Sequence, residues 1–509
     1  MQDQVPTHLH YGSCYCRGNS DHFDNLSKGL LVGSRSKEKL PPGPHKLPFF
    51  GNLFQLPKTR EYLTYQKWSN QYGSDIIHLS ILGQSLIILN SSEAVSDLLE
   101  QRSLIYSGSM GWKWAFPFLP YGRVETLTNC DMFIHWYLGK QWKEQRKVFH
   151  REFNPDAVAR FRNHETEACM TLIGNLQQSP NRFIEHIRHF SGQLILKIAY
   201  GISVQTPHDQ EILISERSVE SISLATTPGQ FFVDSIPLLQ YVPSWFPLAG
   251  FKRMAIRCSE DSTWIRNELF QKVKLQLESG LFESSVTSRG LKNISESQDA
   301  TYLQGVLKDT TSSLVSFILE MARHPNVQQK AYEEICCKTG TERLPTLSDK
   351  SDLPYITAIL MEVLRRHPVA PCNAPHVLTE QDHYKEFMLP ANSIVLVNTW
   401  AILHNPNIYS DPLQFDPDRF VKDGQLLDGH KHPITACFGY GRRICPGRYM
   451  ALESMWIAIA FIIAKFKIEP SRNPDGSIVE ITGESTSGII TRPKPFECSI
   501  KSRQEYAES

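Results

Sequence analysis

Apolar positions recur every three or four residues through most of the stretch from about residue 90 to about 370, with Pro-rich connections between runs. That spacing lays an apolar stripe along one face of an α-helix and predicts a long helical region. The pattern changes to strand-like runs at two places. Ile76–Leu82 and Ser85–Leu89, around Gly83-Gln84, predict a short β-hairpin; Phe387–Leu389 and Ser393–Asn398 predict a second strand zone. Pro, Asp and Phe crowd residues 406–420, as in irregular coil, and a final long helix is predicted from about Pro446 to Phe466. Within it, Met455 to Ala464 is too short to cross a bilayer and has Glu453 just before it, so a buried core helix is expected. Leu40-Pro41-Pro42-Gly43-Pro44 is stiff and non-helical. It marks the expected boundary between a polar, poorly ordered leader, residues 1–39, and one folded domain, residues 40–509. The longest apolar stretch of the leader is Gly29 to Gly33, so no transmembrane anchor is expected there. The fold class is mainly α (α+β): a large helical part with small β-sheets and no second domain.

Composition narrows the function more than the fold. The 509 residues are 41% hydrophobic, enough for a substantial core, and 53 basic residues balance 53 acidic ones. A net charge of zero without a basic stripe argues against nucleic acid as a partner. The eleven cysteines are scattered and form no CxxC pair, which argues against a zinc ribbon or a secreted disulfide framework and for a reducing, intracellular setting. The three sequons at Asn25, Asn90 and Asn293 are expected to be chance matches.

The densest motif is Phe438-Gly439-Tyr440-Gly441-Arg442-Arg443-Ile444-Cys445-Pro446-Gly447. It fits F-x-x-G-x-R-x-C-x-G at every fixed position. On this loop the chain resembles the cytochrome P450 superfamily, and most closely its fungal microsomal-type monooxygenases. The resemblance implies a single cytochrome P450 fold and haem b with Cys445 as the axial thiolate of its iron. That thiolate pushes electron density onto the metal and favours O–O cleavage. It further implies that Gly441 and Gly447 allow tight turns against the macrocycle and that Phe438 packs beside it. Arg443 would neutralise a propionate, and Pro446 would open the helix whose amides stabilise the sulfur. Cys437, just before the motif, is expected to be structural.

Other motifs carry the same resemblance. Glu362 and Arg365 lie three apart in a helical stretch, where they can pair. With Arg419 of Pro417-Asp418-Arg419-Phe420 they resemble the family's buried charge network, a structural role; Asp418 stands where Glu is commoner. Trp142 and Arg146, four apart, resemble the propionate clamp, and His376 after Ala374-Pro375 falls near a further propionate position. Asp309-Thr310-Thr311 resembles the oxygen-activating helix, in which Asp309 and Thr310 would relay protons to dioxygen. Residues 230–253, with Phe231, Phe232, Tyr241, Trp245, Phe246 and Phe251, resemble the region that dips into a membrane, or else a buried loop over the site.

The resemblance therefore implies a monooxygenase acting on a lipophilic small molecule. NADPH–cytochrome P450 reductase would be its electron donor, and family analogy places it at the endoplasmic reticulum membrane, in fungal secondary metabolism or detoxification. Three departures keep alternatives open. Val306-Leu307 replaces the usual small pair, which suits a peroxide-using or rearranging enzyme. Tyr106 to Trp112 lacks several residues expected to wall the pocket, and Arg123 to Gly139 is an expected insertion. Together these keep open an inactive splice or gene-model variant that binds haem poorly.

Overall fold

The computed structural model describes residues 39–108, 140–225, 231, 233, 239, 241–293, 305–341, 343–427 and 433–503. The predicted insertion at 123–139 and nearly all of the 1–39 leader lie outside them. So do the side chains of Trp142, Val306, Leu307 and Asp309.

The proline-rich entry runs beside the first hairpin, where the Pro42 carbonyl accepts the His78 N–H at 2.9 Å. After α1 (Glu61–Tyr72), β1 (Ile76–Ile81) and β2 (Gln84–Leu89) pair antiparallel, Ile76 opposite Leu89 and Ile81 opposite Gln84. The turn is Leu82-Gly83, one residue earlier than the sequence suggests. Both residues have positive φ, 48° and 87°, the twist that suits a two-residue hairpin. A helical body comes next: α2 (Lys140–Phe153), α3 (Arg162–Gln178), α4 (Phe183–Tyr200), α5 (Gln210–Ala225), α6 (Gly250–Trp264), α7 (Gly305–Arg323), α8 (Pro325–Thr339) and α9 (Pro354–Arg366). The chain then returns to the hairpin. Short β3 (His376–Val377) and β4 (Ile394–Val397) extend the sheet to the order β1-β2-β4-β3, with β4 parallel to β2. The predicted strand Phe387–Leu389 pairs separately with Asp382–Tyr384.

The last helix, α10, spans Arg448–Lys465, later than expected at its start. Gly447 is its N-cap residue and Pro446 lies outside it, so proline ends the cysteine loop rather than opening the helix. Nearly every face of α10 is buried, which explains its apolar run without a membrane. No helix among the described residues is long and apolar enough to cross a membrane. The main core gathers α2, α3, α4, α7, α9 and α10 around residues such as Phe149, Phe190, Phe317, Ile359 and Trp456. A second cluster joins β2, Leu98 and Leu99 to Tyr440 beside the cysteine loop.

Buried histidines, His78 and His404 among them, make this fold sensitive to acid. His78 accepts from the Lys46 ammonium through Nδ1 at 2.9 Å. Burial, aided by that charge, holds its pKa at about 4. Burial and the charges of Arg365 and Arg366 hold His404, stacked on Trp400 at 4.0 Å, well below the usual histidine range. The unfolded chain takes up these protons below about pH 6.5 while the folded chain resists them. Stability should therefore fall as pH drops from 6.5 toward 4, by about 2–3 kcal/mol from His78 alone. Urea midpoints at pH 7.5 and pH 5 test this, with a shallower fall expected in His78→Gln; equal midpoints in the parent would contradict it.

Candidate active site

The cysteine loop is tied at its neck. The Cys445 N–H donates to the Phe438 carbonyl at 2.7 Å, and the Phe438 N–H to the Ile434 carbonyl at 3.1 Å. Within the loop, Gly441 has φ +55° and sits on the Leu99 carbonyl so closely that a Cβ would lie 2.1 Å from its oxygen. Leu99 belongs to a widened, π-type turn over Ser96–Gln101, so only glycine fits where loop and turn meet. Gly447 has φ −86°, a conformation open to any residue. Its predicted need for glycine is not a matter of backbone freedom.

Basic residues gather at this loop and at the Tyr106-Ser107 backbone beside it. Arg146, from α2, donates to the Ile444 carbonyl at 2.6 Å. Burial draws its pKa below the ordinary value; the neighbouring Cys445 opposes that and the Arg448 charge adds to it. Arg443 donates to the Ser107 carbonyl at 3.1 Å, and burial together with the Arg146 charge brings its pKa down to about 10. His376 is buried with Nδ1–H donating to the Tyr106 carbonyl at 2.9 Å. Burial holds its pKa at about 4, the Arg443 charge adding to the effect against that hydrogen bond. Arg448 donates to the Cys445 carbonyl at 3.1 Å. Arg448 is not among the residues predicted from the motif, although its place three residues after the cysteine is signal enough.

The other predicted residues divide between this site and its support. Thr310 is buried in α7, as are Ser312 and Ser313 beyond it. Glu362 and Arg365 are fully buried and paired twice, Nε–Oε2 at 2.7 Å and Nη2–Oε1 at 2.8 Å. Arg419 donates to the same carboxylate at 3.2 Å, as does the Asp416 N–H at 2.9 Å. Arg365 also donates to the carbonyls of Leu403, Pro412 and Gln414, so one ion cluster holds the irregular segment 403–419 onto α9. Asp418 stands apart, exposed and paired with Lys330. The Cys437 thiol donates to the Leu364 carbonyl at 3.3 Å, and burial pushes its pKa up to about 12, which leaves it inert. In the 230–253 region Tyr241 and Trp245 are exposed, whereas Phe251 packs with Val233 and Phe231; Phe232 lies outside the described residues.

Arg146 beside the half-buried Cys445 thiol, with Arg443 repelling it and the buried His376 imidazole near Arg443, suits a ligand with paired carboxylates and a thiolate-seeking centre. Haem fits that donor set. A mainly helical domain that presents such a cysteine just before a buried helix defines a class of haem-thiolate protein.

A profile of the Cytochrome P450 family matches residues 41–500. Cytochrome P450 monooxygenase 98 of Postia placenta is 39% identical over 504 residues, 94% of each chain. Cytochrome P450 monooxygenase COX2 of Coprinopsis cinerea is 35% identical, over 93% of this chain and 91% of that protein. Tryptamine 4-monooxygenase of Psilocybe cyanescens is 34% identical, over 93% and 95%. The chain belongs to the cytochrome P450 family, haem enzymes with a cysteine axial ligand, and is a monooxygenase of that family.

Proposed function

We propose that this enzyme inserts one atom of dioxygen into a lipophilic small organic substrate. Its electrons would come from NADPH through NADPH–cytochrome P450 reductase, in fungal secondary metabolism or detoxification. The observation that carries the reading is a cluster of three basic groups at the Cys445 loop: Arg146 bonds the loop at Ile444, Arg443 of the loop reaches Ser107, and His376, bonded to the adjacent Tyr106, lies near Arg443. In it, residues 40–509 act as one haem domain, Cys445 is the iron ligand, and Arg146, Arg443, His376 and Trp142 hold the propionates. Haem, when bound, supplies the oxidative chemistry. The amides at the start of α10 favour a negatively charged sulfur at Cys445. Gly441 keeps the loop seated, and Phe438 closes its apolar side. Asp309 and Thr310 move protons into the site from α7, and the Glu362–Arg365–Arg419 cluster keeps the underlying segment rigid. Lys143, Lys147 and His150 are exposed along α2 and Arg442 is exposed on the loop, a positive face suited to an acidic electron donor. Tyr241 and Trp245, exposed near Arg253, suit contact with the endoplasmic reticulum membrane surface.

Incubation with NADPH, reductase and ¹⁸O₂ tests the reaction, with tryptamine and a terpene hydrocarbon as probes. One labelled oxygen per hydroxylated product, dependent on NADPH and reductase, is expected. Turnover with hydrogen peroxide alone, without label from ¹⁸O₂, would replace this reading by the peroxide-using one.

A further inference from the structure

Between α3 and α4 lies a cavity of about 210 Å³ that shares no residue with the candidate active site. Its walls follow from helical spacing. His164, Ala168 and Thr171 fall on one face of α3, and His189, Gln193 and Lys197 on one face of α4, three or four residues apart in each case. The coil 203–205 that follows α4 closes one side. Packed helices ordinarily meet through apolar faces. Here polar side chains are brought together, and part of that polarity is left unmatched.

His189 is 2% exposed, and neither ring nitrogen has a hydrogen-bond partner among the described residues. Burial draws its pKa below the ordinary histidine value, against the pull of the Val204 backbone beside it. The ring is therefore neutral near pH 7.5, with one donor and one acceptor nitrogen. Gln193 Oε1, one turn further along α4, is likewise buried without a partner among those residues. His164 Nδ1 faces Glu167 at 3.8 Å, too far for a hydrogen bond. The Thr171 hydroxyl donates to the Glu167 carbonyl at 3.1 Å, which leaves its oxygen able to accept. A buried polar group left unmatched costs about 1–3 kcal/mol, and the cavity has room for about seven waters. Its charges, in contrast, are already matched. Lys197 pairs with Glu283 and donates to Ser203 Oγ at 2.8 Å, and the exposed Glu167 carboxylate at the rim repels anions. An occupant that suits these walls is neutral, and both donates and accepts at neighbouring points.

We propose that this cavity is a binding site for a small neutral polyol, a molecule with hydroxyls on adjacent carbons. Each hydroxyl donates and accepts at once, so neighbouring ones match Gln193 Oε1, the His189 imidazole and the Thr171 oxygen. Ala168, Leu194 and Val204, which also line the cavity, cover the carbon chain. Water would match the polar groups but leave that apolar wall wet, whereas a polyol satisfies both. Once bound, it ties α3, α4 and the coil 203–205 together.

The test uses the full-length holoprotein as parent, Gln193→Leu and Thr171→Val, two positions that are only half-buried and so tolerate change. Saturation-transfer NMR titrations are run with erythritol and xylitol, and with acetate and phosphate as anionic probes. Polyols also stabilise proteins by exclusion from their surfaces, so binding is read rather than melting temperature. A crystal structure of the parent grown with xylitol shows the cavity directly. Saturable binding of a polyol to the parent is expected, weakened about fivefold in each variant, the effect of one hydrogen bond. Polyol density between His189 and Gln193 is expected in the crystal. No saturable binding, equal affinity in the parent and Gln193→Leu, tighter binding of acetate or phosphate, or water alone in the cavity would overturn the proposal. If a variant does not fold, the parent titrations and the crystal structure decide.

Discussion

Replacing Cys445 by serine is expected to abolish the strongly red-shifted absorption band that the reduced, CO-bound parent enzyme should show, and with it all monooxygenation. Serine keeps the size of the side chain and the neck bond from the residue 445 N–H to the Phe438 carbonyl, so the loop itself should persist. What it loses is a soft, readily ionised sulfur; a serine hydroxyl does not ionise near neutral pH, even beside Arg146. The expected variant therefore folds and shows an unshifted band, or binds no haem. Circular dichroism and the CO difference spectrum, measured on the same preparation, check both halves. A red-shifted band surviving in Cys445→Ser would remove this cysteine from the iron, and absence of the band in the parent would revive the inactive-variant reading.

The second large effect is on folding. Glu362→Ala leaves Arg365 buried with a full charge and takes from Arg419 its nearest carboxylate. Breaking a buried pair by removing one partner costs about 3–5 kcal/mol, a large share of the roughly 5–15 kcal/mol that stabilises a native protein. Soluble holoprotein should fall to a small fraction of the parent yield. Asp418 lies in the same segment but is exposed and pairs with Lys330 at the surface. Asp418→Ala should therefore change stability by less than about 1 kcal/mol. Thermal unfolding and haem content of the two variants make the comparison. Equal behaviour would mean that burial of the Glu362 cluster does not support the fold.

Features legible in the sequence are those that lie close along the chain. The cysteine loop announces itself because thiol, arginine and glycines fall within ten residues, and Glu362–Arg365 because a helix brings i and i+3 together. Only the family resemblance joins Arg419 to that pair, since nothing local shows a side chain 57 residues away arriving at the same carboxylate. The start of α10 differs from expectation because proline is favoured both inside a first helical turn and just before a helix; the cap at Gly447 decides between them. The hairpin turn comes one residue earlier than expected because Leu82, with φ +48°, takes a conformation that sequence reasoning assigns to glycine first. The hydrogen bond from Ser312 Oγ of α7 to the Thr491 carbonyl spans 179 residues and joins a side chain to the backbone, which leaves no residue type to recognise.

The parallel pairing of β2 with β4 has a consequence for how the enzyme is made. β2 ends at Leu89 and its partner at Val397, and no hydrogen bond between them can form until the second has left the ribosome. At roughly 5–20 residues per second, the roughly 300 intervening residues take about 15–60 s to synthesise. For that time β2, with Leu86, Ile87, Ile88 and Leu89, has one edge unsatisfied and apolar side chains without their final cover. The helical body can pack meanwhile from local contacts, so the first strands made are among the last to be locked. Nascent chains should therefore depend on chaperones most at their beginning, and slower translation would lengthen that dependence rather than relieve it.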